Sequence, residues 1–319
     1  MKHQRTLRSL TVTITDYLYT VWLFPYSQLV DTILPCTTFA VCGCLSSRVL
    51  NLPAMAFPDS FTELFESEIL WRTVSAILWI WLVMLQFTLH NQRRPESIIE
   101  DSLNKPWRPL PSGRISIKGV NFLLLVTYLA ASVLSFQLGV MAHFIVFTAL
   151  VIWYNDLGGS DRSGLFRNFL NASGYACLFS APLRIVLDPS GNLRIGDRAH
   201  LWTLIMVLVI FTTIHAQEFR DEAGDKARGR QNIITSVGHT WARLLLIGFM
   251  TFWCAFIPMW LGLTYKGAFI TWGLGLWTVV LTVRGMGKRT EKLDRDMYLV
   301  WSCWLFSFTP LPLVKAIGG

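Results

Sequence analysis

The sequence predicts an all-α integral membrane protein of about nine transmembrane helices, on three observations. Of its 319 residues 53% are hydrophobic and only 15% charged, far from the balance of a soluble domain. The mean hydropathy is positive. The apolar residues come in blocks of roughly 20, the length a helix needs to cross about 30 Å of hydrocarbon.

The blocks run near 28–49, 69–91, 119–138, 140–155, 165–187, 199–216, 237–263, 267–283 and 297–316. The fourth is short and nearly touches the third. Lipid offers no partner to backbone polar groups, so each block is expected to be a helix. Residues 1–319 read as a single transmembrane domain, with a tail over 1–27. That tail, with Lys2, Arg5, Arg8 and Asp16, lacks the uninterrupted apolar core of a cleavable signal peptide, so the first membrane helix is expected to be the targeting signal. Cys36, Cys42, Cys44, Cys177, Cys254 and Cys303 all fall inside apolar blocks, where packing rather than a disulfide or a zinc site is expected.

With the tail in the cytosol, 21 of the 28 Lys and Arg residues fall in cytosolic segments or at their edges, as the positive-inside rule requires. The expected setting is a multi-pass protein of the endoplasmic reticulum. The net charge of +8 is then loop-bound and implies no nucleic acid; membrane lipid is the expected partner, and no obligatory protein partner is evident.

The second and sixth blocks are four crossings apart, so the segments that follow them emerge on one side. Both segments are acidic. After the second come Asn91, Glu96, Glu100 and Asp101, then Asn104, Lys105 and Arg108; after the sixth come Glu218, Asp221, Glu222 and Asp225, then Lys226, Arg228 and Arg230. On a helix Glu218, Asp221, Glu222 and Asp225 share an arc of about 100°. Four carboxylates on one face repel unless a cation sits among them. Magnesium is typically held by one or two carboxylates plus substrate phosphates, so two facing clusters would bind a diphosphate through bridging metals. Lys105, Arg108, Lys226, Arg228 and Arg230 would neutralise its outer oxygens. Either cluster alone reads equally well as a solvated loop; the pair on one side, each mixed with Lys and Arg, argues for a site.

These segments resemble the UbiA superfamily of intramembrane prenyltransferases, which carry an Asn-x-x-x-Asp-x-x-x-Asp motif after the second span and an Asp-x-x-x-Asp-type motif after the sixth. Glu218-Phe-Arg-Asp221-Glu-Ala-Gly-Asp225 and Asn104-Lys-Pro-Trp-Arg108-Pro-Leu-Pro-Ser-Gly carry the likeness. The resemblance implies a bundle of about nine transmembrane helices around a central cavity, a prenyl diphosphate substrate and Mg2+, with Asn91, Glu100, Asp101, Glu218, Asp221 and Asp225 as metal ligands and Asp101, Asp221 and Asp225 as catalytic residues. Ser97 stands where the family has an aspartate, the first motif is longer than usual, and Tyr154-Asn-Asp156 replaces a Tyr-x-x-x-Lys. That altered pattern is similar to a fungal branch of UbiA-type sesquiterpene cyclases.

Two reactions begin alike, with stabilisation of a departing diphosphate. An acceptor captures the allyl cation in a prenyltransferase; a distal double bond of the same chain captures it in a cyclase, with farnesyl diphosphate the expected substrate. A cyclase needs an apolar, aromatic-lined chamber, for which Trp153, Tyr154, Phe166, Phe169 and Tyr175 are candidates. Asn168 and Asn171 are costly in lipid and should face the bundle interior. His90 and His215, just before the motifs, are candidate bases, though capping explains them as well. No Ser-His-Asp set, Walker loop or dinucleotide fingerprint appears. A cation transporter is disfavoured because the clusters lie at helix ends with basic partners and no span shows an acidic interior residue.

This topology predicts that glycosylation tags placed after Lys118 or Arg230 stay unmodified while a tag near Asp59 is modified. Modification after both Lys118 and Arg230 would reverse the orientation, and modification after only one would separate the two clusters.

Overall fold

The computed structural model describes residues 2–52, 67–188 and 196–318, with side chains from Thr13 onward; the expected luminal loop around Asp59 lies outside the described residues. The described chain is helical throughout, without a strand. Helix α1 covers Lys2–Leu23, so the expected tail is itself helical. A 3-10 turn Tyr26–Gln28 and a π-helical turn Leu29–Ile33 then lead into α2, Leu34–Leu45, and α3, Ser47–Leu50. There follow α4 (Glu68–Gln92), α5 (Pro95–Asn104), α6 (Ile117–Gln137), α7 (Met141–Asn155), α8 (Gly159–Arg162), α9 (Gly164–Leu187) and α10 (Asp197–Thr213). The remainder are α11 (Ala216–Arg228), α12 (Ile233–Leu261), α13 (Tyr265–Gly287), α14 (Glu291–Phe308) and α15 (Leu311–Ala316).

Each of the nine apolar blocks is helical, but the count of nine spans is not reached on length and apolarity. Six helical stretches among the described residues qualify, seven if α10 and α11, which meet at 46°, make one bent span. Helix α7 has 15 residues and rises only about 22 Å. The ninth block breaks at Thr309 and Pro310 between α14 and α15. The chain is a multi-pass membrane protein of the all-α class.

Helix α9 lies at the heart of the bundle, packed against α2, α4, α7 and α10. Its N-terminal turn can approach the start of α12 because residue 164 is glycine: a Cβ there would lie 2.3 Å from the Ile233 backbone nitrogen. Helix α12 starts with a capping box at Asn232 and Thr235, then breaks at Gly238 (φ 81°, ψ 162°), a backbone region open to glycine. The apolar run expected from 237 therefore begins at a kink, preceded by one polar turn that serves the site.

Replacing Gly164 with Ala sets a methyl against rigid backbone and should cost about 1–3 kcal/mol. Melting in detergent, followed by tryptophan fluorescence, should shift down for Gly164→Ala and stay unchanged for Gly248→Ala, where a Cβ would meet nothing within 4 Å. Equal melting of the two variants would contradict the close approach.

Candidate active site

The polar ends of the bundle are built from α5 and α11, the helices of the two acidic segments, which pack on each other. Pro95 sits in the first turn of α5, where its fixed φ suits the helix start. A Cβ on Gly224 of α11 would fall 2.3 Å from Asn104 Nδ2. In that space the Asn104 side chain accepts from the Gly224 N–H (3.2 Å) and donates to the Asp221 carbonyl (3.2 Å). One amide thus clasps the two motifs.

Around this clasp every predicted carboxylate has found a cation or a helix end. Asp101, 3% exposed, accepts both bonds of a pair from Arg108 Nη1 (2.7 and 2.9 Å). Burial pushes the Asp101 carboxyl up, against the pull of Arg108. Glu100 takes Arg228 (3.1 Å) and Arg230 (3.2 Å). Asp225, 1% exposed, sits between Arg230 (2.6 Å) and Arg167 (3.2 Å) and accepts from Asn232 (3.0 Å). Asp221 is held by both arms of Arg220 at 2.7 Å, with Lys105 at 3.8 Å. Burial pushes Lys105 down to about 8, Asp221 pulling the other way. Glu218 caps α12, its Oε2 accepting from the N–H groups of Ile233 (2.9 Å) and Ile234 (3.4 Å).

Beneath the charged groups opens a cavity. Its polar end includes Asn91, Glu100, Lys105, Arg108, Arg167, Arg220, Asp221 and Arg230. Its apolar wall is Met84 and Phe87 of α4, Phe147, Leu150 and Val151 of α7, Leu178 of α9, and Trp301 and Leu305 of α14.

The predicted residues divide accordingly. Tyr154, Tyr175 and Asn171 line the cavity, Tyr154 accepting from Arg167 Nε (3.3 Å). Asn168 does not; it is buried and donates to the Phe211 carbonyl (3.2 Å). Trp153, Phe166 and Phe169 stack on one another away from the cavity, Trp153 and Phe169 exposed to the bundle's outside. His90 is locked between Asp156 (2.6 Å) and Tyr128 (2.9 Å), and His215 contacts the Ala242 carbonyl (3.2 Å), so neither reaches the cavity. Lys226, placed with the diphosphate ligands from sequence, turns outward and pairs with Glu222 (2.8 Å). Glu222 lies at the far edge of the expected acidic arc and meets His239 and Arg289 instead. Ser97, at the missing aspartate, accepts from Arg228 (2.8 Å).

Sequence reading overlooked five participants. Asp31 lies in the first span, contrary to the expectation that no span holds an acidic residue, and Arg167 lies in the fifth; an ionisable residue inside an apolar run was the available signal. Tyr298 carries the Arg220 guanidinium 3.7 Å above its ring. Arg220 stands in the sequence only as a basic residue inside the second acidic segment. Asp161 bridges Arg228 (2.9 Å) and Arg230 (3.0 Å), whose charges outweigh burial and hold its carboxyl low.

Among the described residues no three His, Cys, Asp or Glu side chains gather as a ready metal cage. At the charged end of the cavity Asn91, Glu100 and Asp221 offer hard oxygen donors, interleaved with cations. This donor set fits a divalent ion that takes one or two carboxylates and fills its shell from phosphate and water.

Fold and cavity together define an integral membrane protein with a chamber that is charged at one end and apolar along its wall. The profile of the UbiA prenyltransferase family matches residues 65–304, and the chain belongs to that family. Its members are prenyltransferases or terpene cyclases, so the chain is an enzyme of one of these kinds. It is 27% identical over 305 residues to the fumagillin beta-trans-bergamotene synthase of Aspergillus fumigatus, covering 95% of each chain. It is 27% identical over 241 residues to the somaliensene A/B synthase of Streptomyces somaliensis, covering 76% of this chain and 73% of that one. The structure of a UbiA homologue from Archaeoglobus fulgidus bound to GPP and Mg2+ superposes with a TM-score of 0.60 at 13% identity, over 91% of this chain and 98% of that one.

The clasp makes a coupled prediction. Asn104→Ala and Gly224→Ala should each lower stability by about 1–3 kcal/mol, the worth of a pair of buried hydrogen bonds. Because they break the same contact, the double variant should melt close to the worse single one. Fully additive losses would show that the two residues act independently.

Proposed function

We propose that the chain is a magnesium-dependent membrane terpene cyclase that ionises a prenyl diphosphate, farnesyl diphosphate in the first instance, and closes it to a cyclic sesquiterpene. The single observation that carries this is the cavity, charged at one end and apolar along the rest of its wall. Likeness to the Aspergillus synthase over 95% of both chains supports the cyclase reading, and the GPP and Mg2+ of the Archaeoglobus homologue support the ligands.

In this reading Asn91, Glu100 and Asp221 hold the metal, which when bound neutralises charge on the departing diphosphate. Lys105, Arg108, Arg220 and Arg230 turn N–H groups to the phosphate oxygens. Asp101 and Asp225 fix Arg108 and Arg230 for that task, Glu218 anchors α12, and Arg228 secures Glu100. Water is kept from the cation by the apolar wall. The site opens to the cytosolic face of the endoplasmic reticulum. A second reading, transfer of the prenyl chain to an aromatic or polyketide acceptor, is favoured by Gln28, Thr32, Asn171 and Ser302, polar groups in the same wall.

Microsomes carrying the enzyme, given magnesium and geranyl, farnesyl or geranylgeranyl diphosphate without acceptor, should release a cyclic hydrocarbon, and none in excess chelator. Product only with an aromatic acceptor would establish transfer instead. Asp221→Ala, Asp101→Ala and Glu100→Ala should each cost more than about tenfold in rate, 1.4 kcal/mol of barrier. Glu96, half exposed and paired with Arg94 on the surface, should tolerate Ala. Asp225→Ala should also destabilise the fold, since loss of one partner from a buried pair costs about 3–5 kcal/mol; normal melting of that variant would contradict the double arginine pairing.

A further inference from the structure

Among the described residues, Asp31 is the one carboxylate of the cavity wall that makes no ion pair. The other two, Glu100 and Asp221, are paired with guanidinium groups. Asp31 enters from the π-helical turn Leu29–Ile33, a distortion that recurs at functional sites because it turns one extra side chain inward. Its Oδ2 accepts from the Tyr298 hydroxyl at 2.6 Å, and its carbonyl accepts from the Tyr175 hydroxyl at 2.9 Å. Tyr175 in turn contacts the Thr32 hydroxyl at 2.9 Å. Its hydrogen bond comes from a neutral hydroxyl, while the Arg220 guanidinium, 3.7 Å from the Tyr298 ring centroid, acts on it through space without a direct pair. A carboxylate in an apolar run is expensive, and this one lines the same cavity as Leu178, Trp301 and Leu305, the wall a hydrocarbon would touch.

Resting on the cyclase reading, we propose that Asp31 is the base that ends the reaction, with Tyr298 as its positioning residue. After ring closure the cation sits on carbon, and a neighbouring C–H bond gives up its electron pair to form the new double bond. The proton goes to the Asp31 carboxylate, which becomes the neutral acid. It returns to water or to the released diphosphate before the next turnover, so the sum is olefin, diphosphate and one proton. Tyr298 bonds one oxygen of the carboxylate and leaves the other free to accept.

Asp31→Asn keeps an acceptor for the Tyr298 hydroxyl but has no carboxylate to take a proton. With magnesium and the accepted prenyl diphosphate, it should release diphosphate within about threefold of the wild-type rate. The share of the wild-type hydrocarbon should fall at least about tenfold, within what a general base contributes, in favour of isomeric olefins and alcohols from water capture. Asp31→Glu should restore part of that share. An unchanged hydrocarbon share in Asp31→Asn overturns the proposal, as does parallel loss of diphosphate release and product in a folded variant. If Asn at 31 prevents folding, Tyr298→Phe carries the test: it keeps the carboxylate and frees its orientation, so a mixed product at normal diphosphate release is expected, and an unmixed one overturns the assignment. A wild-type enzyme that makes no hydrocarbon removes the cyclase reading itself, whereas a wild type and Asp31→Asn that share one hydrocarbon remove only the base.

Discussion

A charge carried into an apolar bundle must meet its opposite, because the loss of hydration exceeds what any one weak contact returns. The polar end of this protein is arranged by that requirement. Arg167 enters with the central helix α9 and reaches Asp225 of α11; Asp225 holds Arg230, which reaches Glu100 of α5 and Asp161 of α8. Four helices are thus tied by one chain of charges. The glycines that let α9 meet α12 and α5 meet α11 bring these groups within reach.

The ligand-free site is close to electrically balanced. Six cations, Lys105, Arg108, Arg167, Arg220, Arg228 and Arg230, interleave with six carboxylates, Glu100, Asp101, Asp161, Glu218, Asp221 and Asp225. A bare diphosphate would add uncompensated negative charge to that set, and a bare divalent ion would have to displace guanidinium groups. Arriving together, the two disturb the balance least. This accounts in physical terms for the preponderance of arginine, whose fork can pass from carboxylate to phosphate, over lysine here.

The apolar blocks made the helices legible, since nothing but a helix satisfies backbone groups in lipid. The two acidic segments were legible as partners because helix parity places them on one side. Which carboxylate faces which way was not: a helical wheel puts Glu222 and Asp221 about 100° apart, and only the neighbouring α12 and the turn before α14 decide that Glu222 turns to His239 and Arg289. The aromatic candidates failed for a related reason, since Trp153, Phe166 and Phe169 sit on the lipid-facing side of their helices. Asp31 escaped notice because it lies near the edge of its apolar block, where a charge looks like a boundary. Its π-helical turn has no signature in the sequence.

The apolar wall has a property that concerns descent rather than catalysis. Met84, Phe87, Phe147, Leu150, Val151, Leu178 and Leu305 hold the shape of the chamber, and none of them belongs to the lattice of charges at its mouth. The chamber can be recut by exchanges among hydrocarbon side chains without disturbing the apparatus that handles the head group. A lineage built this way can change the outline of the molecule it shapes one residue at a time, each intermediate remaining a competent membrane protein.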